Sequence, residues 1–252
     1  MKLPRILTAL VIGALTVTTA TYAADAFNPA QKAQLDSMIH DYILKNPQVI
    51  IQAVQSLQQK EMEVMQQKVQ AAAAKNKSPL FNQSGDPVVG DPNGKVTLVE
   101  FFDYQCPHCV DMAPAVEGLV KANPNLRVVF KEFPIRGDVS VLAAKAALAA
   151  NKQGKYWEYH QLIMKNAAKL NQDSLYNLAK SIGLDVNKLK ADMNSPEVDA
   201  QIKANYKLAQ DLGLLGTPAL FVSKTKDGAV IEFIPGQTDQ AYLQKSIDKA
   251  NS

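Results

Sequence analysis

KVTLVEFFDYQCPHCVDMAPAVEGLVKAN, residues 95–123, contains both cysteines of a 252-residue chain. Its first third, KVTLVEFFD, is β-branched and aromatic, a continuous apolar run suited to a buried strand. From Cys109 onward the stretch reads as a helix, which Pro114 is expected to kink. Cys106 therefore falls where a strand hands over to a helix, and Cys109 lies one turn further in. Two thiols at that spacing could be half of a metal site, a short structural staple or a redox couple, and the surrounding chain has to choose between them.

The compartment comes from the first 23 residues. Lys2 and Arg5 form a basic start, residues 6–17 are mostly apolar, and Thr21 and Ala23 place small residues where a signal peptidase inspects. The apolar run is short for a membrane span. The expectation is a cleaved signal and a mature chain starting near Ala24 in an oxidising space. There, structural disulfides come in wider cysteine frameworks, which two cysteines cannot supply. Zinc needs four ligands, and His40, His108 and His160 offer no second ligand pair at a usual spacing, so no metal is expected. Without Lys2 and Arg5 the 27 basic residues fall to 25 against 24 acidic ones. That balance argues against nucleic acid or an acidic membrane as partner. With 47% hydrophobic residues the chain can bury one good core plus an accessory element.

Residues 24–78 read as helical. Asn28-Pro29 and Asn46-Pro47 each place a capping side chain before a proline suited to a first helical position. Leu35, Met38, Ile39, Tyr42 and Ile43 share one helix face. A longer helix from Pro47 carries Ile50, Val54, Leu57, Val64 and Met65, a stripe broken by Glu61. Such a stripe has to be covered, by the rest of the chain or by the same helix of a second copy. The expectation is a homodimer through residues 27–77. Residues 79–94, rich in Pro, Gly, Asn and Asp, read as a linker. Beyond them, LRVVFKEFPI is a second strand, a helical block fills about 137–213, and TPALFVS and AVIEFIPG form a hairpin across 224–228 before a closing helix. The order β-α-β, helical block, β-β-α over residues 95–252 is an α/β thioredoxin fold with a large helical insertion. In that insertion Tyr156, Trp157 and Tyr159 are expected to pack its core or to line a substrate groove; His40, in the N-terminal helices, and His160 read as surface or half-buried residues.

On EFFDYQCPHC, on GTPALFV downstream and on the insertion between them, residues 88–252 resemble the DsbA-like family of secreted thiol–disulfide oxidoreductases. Cys-Pro-His-Cys is the active-site sequence of DsbA itself. With its N-terminal helices the chain is similar to the extended, dimeric subgroup of Gram-negative bacteria. The resemblance implies a periplasmic enzyme that forms and isomerises disulfides, with no cofactor beyond its own cysteines. It implies unfolded or misfolded secreted proteins as substrates and a membrane redox partner. It also implies a redox disulfide Cys106–Cys109 around Pro107 and His108, a buried acid at Glu100, and a cis-proline at Pro218 that leaves the Thr217 backbone free to pair with an extended substrate. DsbA has valine where this chain has Thr217, and the dimeric isomerases have threonine, which tilts the expectation toward isomerisation.

The residues supply the chemistry. A thiol attacks a disulfide only as thiolate, and the free N–H groups at a helix start stabilise one at Cys106. His108 is expected to add a positive or hydrogen-bonding neighbour. Cys109 would be the buried resolving thiol, and Glu100, raised by burial, would take its proton. The second reading is a chaperone or surface-interaction protein with a secondary redox pair, told apart by whether function survives loss of both cysteines.

Overall fold

Residues 27–225 and 228–252 are described in this computed structural model. The signal peptide expected over 1–23 lies outside the described residues, as do two residues of the expected 224–228 loop. The chain divides into two compact units that meet between Gln58 and Gln59.

The second unit is built on a five-stranded sheet of β1 (Val88–Gly90), β2 (Val96–Phe102), β3 (Leu126–Glu132), β4 (Ala219–Lys224) and β5 (Ala229–Pro235). Their spatial order is β1-β3-β2-β4-β5. The β2–β3 pair is parallel, with Phe102 opposite Glu132, and every other pair is antiparallel. All seven residues of β2 and of β3 are buried. A strand covered on both faces needs apolar residues at both parities, hence the unbroken run in place of alternation.

Helices complete the architecture: α1 (Pro29–Lys45), α2 (Gln48–Lys75), α3 (Lys77–Phe81), α4 (Pro107–Ala122), α5 (Asp138–Asn151), α6 (Tyr156–Lys165), α7 (Gln172–Ser181), α8 (Val186–Met193), α9 (Pro196–Leu212) and α10 (Gln240–Asn251), with a 3-10 turn at Ala167–Lys169. One sheet face, with Leu98, Phe102 and Phe130, is covered by α4, α10 and the helical insertion. Val99, Phe101, Val129 and Phe221 on the other face meet Val69 and Ala73 of α2, Leu80 and Phe81 of α3, and Leu208 and Leu212 of α9. Full burial of a Leu- or Phe-sized side chain contributes roughly 1.5–3 kcal/mol, so this second cluster is a true part of the core.

That packing corrects three expectations. Residues 79–94 are not a free linker. They hold the end of α3 and the edge strand β1, and they are fastened from beneath by β3. Lys131 Nζ donates to the Pro79 carbonyl at 2.6 Å and pairs with Asp86, while Arg127 Nη2 donates to the Phe81 carbonyl at 2.9 Å. Burial lifts the Asp86 carboxyl to about 6 against the pull of Lys131. Nor does the N-terminal region end as one block near residue 78, because α2 is buried at Val69 and Ala73. Asn46 does not cap α2: its Nδ2 donates back to the Tyr42 carbonyl at 2.9 Å and closes α1. Asn28 behaves as read, in a reciprocal pair with Gln31 at 2.9 Å each way.

In the first unit the apolar stripe stays open. Leu35, Met38, Ile39, Tyr42, Ile50, Val54 and Leu57 are all exposed. In the second unit α4 runs without a break through Pro114, and α9 stops at Gly213, whose φ of 71° is the left-handed conformation that glycine adopts without steric cost.

Candidate active site

Cys106 is the N-cap residue of α4, with extended φ and ψ, and Pro107 opens the helix. No side chain caps this end, so the sulfur occupies the place where a capping oxygen would sit. The Cys106 carbonyl accepts from Cys109 N and Val110 N at 3.0 Å each, and Cys106 N donates to the Asp103 carbonyl at 3.1 Å. Both cysteines are free thiols. The Thr217–Pro218 peptide is cis, and Cys106 Sγ donates to the Thr217 carbonyl at 3.3 Å. A turn that ends at Cys106 and a loop 111 residues further on thus meet at one sulfur.

The two thiols are biased in opposite directions. At Cys106 burial pushes the thiol up, but Thr217 and the backbone N–H groups of Cys109 and His108 outweigh it and leave the thiol below its ordinary range. At Cys109 burial pushes the thiol well up, and the Glu100 carboxylate pushes it further. Glu100 is 2% exposed. Desolvation alone raises it to about 8, so at neutral pH it holds a proton beside Cys109. The Thr217 hydroxyl is buried and has no hydrogen-bond partner among the described residues.

The structure brings Cys106, Cys109, Glu100, Thr217 and Pro218 together. Pro107 and His108 are exposed on the rim. The His108 imidazole was expected beside the Cys106 sulfur, but its Nδ1 is engaged by Gln237 Oε1 at 2.8 Å. The backbone N–H of His108 serves the sulfur instead. Beside the cis peptide lies a groove of about 270 Å³ lined by Met65, Leu214, Leu215, Phe233 and Pro235, with Leu215 92% exposed. Among the described residues no three His, Cys, Asp or Glu side chains are grouped to hold a metal ion.

Residues missed at the sequence level lie just before Cys106. The Asp103 carboxylate accepts from Gln105 N, Ile135 N and Ser140 Oγ at 2.7 Å each and from Arg136 N at 2.9 Å. An aspartate in the turn after a strand is a recognisable signal for such a role. His160, expected at the surface or half-buried, is 4% exposed. It stacks on Trp157 and Tyr156 and bonds Tyr104, because a neutral imidazole packs as an aromatic ring; burial lowers it to about 3.

A five-stranded sheet with a helical insertion and a two-thiol helix start defines a thioredoxin-fold protein of the disulfide-exchange class. The model of the DSBA-like thioredoxin domain matches residues 97–248, and the chain belongs to that family. The model of the copper resistance protein ScsC N-terminal domain matches residues 31–63, which makes the chain an N-terminally extended member. Thiol:disulfide interchange protein DsbA of Burkholderia cepacia is 30% identical over 66% of this chain and 81% of its own length. The Na(+)/H(+) antiporter NhaA 1 of Salinispora arenicola is 32% identical over 55% of this chain, which spans only 22% of the antiporter's length. Among solved structures, a thioredoxin-like oxidoreductase from Silicibacter pomeroyi is 44% identical, covers 70% of this chain and 98% of its own, and superposes with a TM-score of 0.64. BcfH of Salmonella enterica Typhimurium is 32% identical, covers 88% and 97%, and reaches 0.71.

Proposed function

We propose that this chain is a periplasmic thiol–disulfide oxidoreductase that exchanges disulfides with secreted proteins through Cys106 and Cys109. The observation that carries the reading is the opposite bias on the two thiols: one at a bare helix start, one buried against an acid. In oxidation, a client thiolate attacks Sγ of Cys106 in the Cys106–Cys109 disulfide. The Cys109 sulfur leaves and takes the proton that Glu100 holds. A second client thiolate then attacks the client sulfur of the mixed disulfide and releases Cys106 as thiolate. Two electrons pass from the client dithiol to the enzyme, and a membrane redox partner returns it to the disulfide. In isomerisation the free Cys106 thiolate attacks a wrong client disulfide first. The groove beside Thr217 and Pro218 suits an extended client segment with apolar side chains near its cysteine.

Alkylation at pH 5 tests the assignment. Cys106 should be modified selectively in the reduced protein, and preferential labelling of Cys109 would overturn it.

Self-association belongs to the same proposal. The open stripe of Leu35, Met38, Ile39, Ile50, Val54 and Leu57 resembles a seam that needs a copy of itself. Bringing active sites onto one client favours isomerisation, because one site grips while another attacks. Changing Val54 and Leu57 to Glu in the full chain should give a monomer in sedimentation that still oxidises reduced client but reactivates scrambled ribonuclease poorly. An unaltered chain that sediments as a monomer defeats this part.

A further inference from the structure

The three residues before Cys106 each send a side chain away from the thiols and into the elements that carry the helical insertion. Asp103 binds the backbone of Ile135 and Arg136 and the hydroxyl of Ser140 in α5. Gln105 Nε2 donates to the Ala167 carbonyl, in the turn after α6, at 2.8 Å. Between them, the Tyr104 hydroxyl stands 3.1 Å from Glu132 Oε1 and 3.0 Å from His160 Nδ1. A hydroxyl has one proton, so if it donates to Glu132, the neutral imidazole carries its proton on Nδ1 and donates to the Tyr104 oxygen. Tyr156 closes the set by donating to the same Glu132 oxygen at 2.9 Å.

Packing alone does not account for this choice. Tyr104 is 1% exposed, and its ring meets Phe102 edge-on at 5.1 Å. A phenylalanine would fill that space without bringing a polar group that must be satisfied. His160 likewise sits among Phe102, Phe130, Tyr156 and Trp157, with its Nδ1 engaged by the Tyr104 hydroxyl. The Cys106 N to Asp103 carbonyl bond closes residues 103–106 into one turn, so a displacement of Tyr104 moves the sulfur. The sulfur's bond to the Thr217 carbonyl and its approach to the N–H groups of His108 and Cys109 depend steeply on distance and angle.

We propose that Tyr104 is a positioning residue for the nucleophile: paired with His160 and Glu132, and flanked by the Asp103 and Gln105 anchors, it makes the helical insertion the frame that holds Cys106. The insertion then acts on the chemistry through the turn, in addition to any part it plays in covering the core. The inference rests on Cys106 being the nucleophile.

The test uses four single variants of the full chain: Tyr104→Phe, His160→Phe, Gln105→Ala and, as control, Tyr159→Phe. Tyr159→Phe removes a buried hydroxyl of the same helix, one that donates to the Leu175 carbonyl at 2.8 Å and lies outside the Glu132 set. Two readouts are taken, the titration of thiolate absorbance near 240 nm and the equilibrium with glutathione, and the thermal midpoint is recorded beside them. The first three variants should raise the thiolate midpoint and favour the enzyme disulfide at least threefold over the unaltered protein. Tyr159→Phe should lower thermal stability as Tyr104→Phe does and leave both redox readouts in place. Unchanged redox readouts in Tyr104→Phe and His160→Phe overturn the inference, as does an equal shift in Tyr159→Phe. Alkylation at pH 5 of the unaltered protein separates the two failures: loss of Cys106 selectivity there overturns the functional reading, whereas selectivity with a silent Tyr104→Phe overturns only the positioning role.

Discussion

The rim and the floor of one helical turn meet different worlds. On the rim, Cys106, itself only 1% exposed, is pushed up by burial, but the N–H groups of His108 and Cys109 and the Thr217 side chain outweigh that and hold its thiol below the ordinary range. On the floor, three residues later, Cys109 is fully buried beside the protonated Glu100 and is pushed up. The residue type is the same and the separation is a single turn, so the difference is made by what each sulfur can bond. Where backbone donors converge, charge is welcome; where only a buried carboxyl waits, it is not. Exchange uses both conditions, with one sulfur that leaves and attacks easily and another that takes a proton on release.

The strongest way to break the comparison is to remove one sulfur at a time. Cys106→Ser should abolish client oxidation and leave no covalent adduct. Cys109→Ser should also lose turnover but accumulate the mixed disulfide between Cys106 and client, visible on non-reducing electrophoresis. Adducts in the first variant and none in the second would reverse the roles of rim and floor.

Next in size comes the floor's carboxyl. Glu100 has an ordinary value of 4.5 and is raised by burial to about 8. The folded state therefore binds its proton more tightly than the unfolded chain. Stability is fully present below about 4.5 and is lost as pH rises through about 8. At about 1.4 kcal/mol per unit, the loss is on the order of a few kcal/mol. Glu100→Gln should flatten that slope and be the more stable protein at pH 9, as denaturant unfolding across pH will read. It should also slow reduction of the enzyme disulfide by client below pH 8, because the departing Cys109 sulfur loses its proton donor. A slope that survives in the glutamine variant would mean another buried acid is responsible, Glu132 being the nearest alternative on that face.

The rim and floor were legible to different depths. The strand, the helix start and Cys106 stood in the spacing itself, since a hydrophobic run meeting Cys-Pro-His-Cys leaves few other geometries. Glu100 was legible because a lone acid among apolar neighbours in a strand has to be buried. Tyr104, His160 and Gln105 were not, because their partners lie 56 residues or more away for His160 and Ala167, and no local pattern encodes such pairings. The pairing of the His108 imidazole with Gln237, 129 residues on, was equally out of reach of any local pattern. The long helix α2 shows the limit most clearly. Its apolar stripe reads as one surface from Ile50 to Met65, yet Val54 and Leu57 stay exposed while Val69 and Ala73, further along, enter the core. Periodicity says that a face is apolar and not what covers it.

A smaller effect is expected at Thr217. Its hydroxyl is buried without a partner and lowers both thiols. It is an orphan that becomes useful when a thiolate forms nearby. Thr217→Val removes it at nearly constant volume. The folded protein should gain up to about 1 kcal/mol, since an unsatisfied buried polar group is lost. The Cys106 thiolate titration should rise, and the glutathione equilibrium should shift by up to about tenfold toward the disulfide. Gaining stability while losing oxidising strength would separate this residue from the structural ones; a fall in stability with unchanged redox behaviour would remove it from the rim.

The least effect belongs to His108, although it lies between the two cysteines. Its ring is exposed and tied to Gln237 Oε1 at 2.8 Å, and its contribution to the sulfur passes through the backbone N–H, which every residue but proline provides. His108→Ala keeps that N–H, so the thiolate titration should rise less than in Thr217→Val and the glutathione equilibrium should move by less than about threefold. His108→Pro is the sharper variant, because it deletes the N–H itself while its fixed φ still suits a second helical position. It should move the equilibrium further than His108→Ala does. If alanine shifts the equilibrium as much as proline, the imidazole turns to Cys106 in solution, the bond to Gln237 is not the working arrangement, and the rim owes its low thiol to a side chain as well as to the bare helix end.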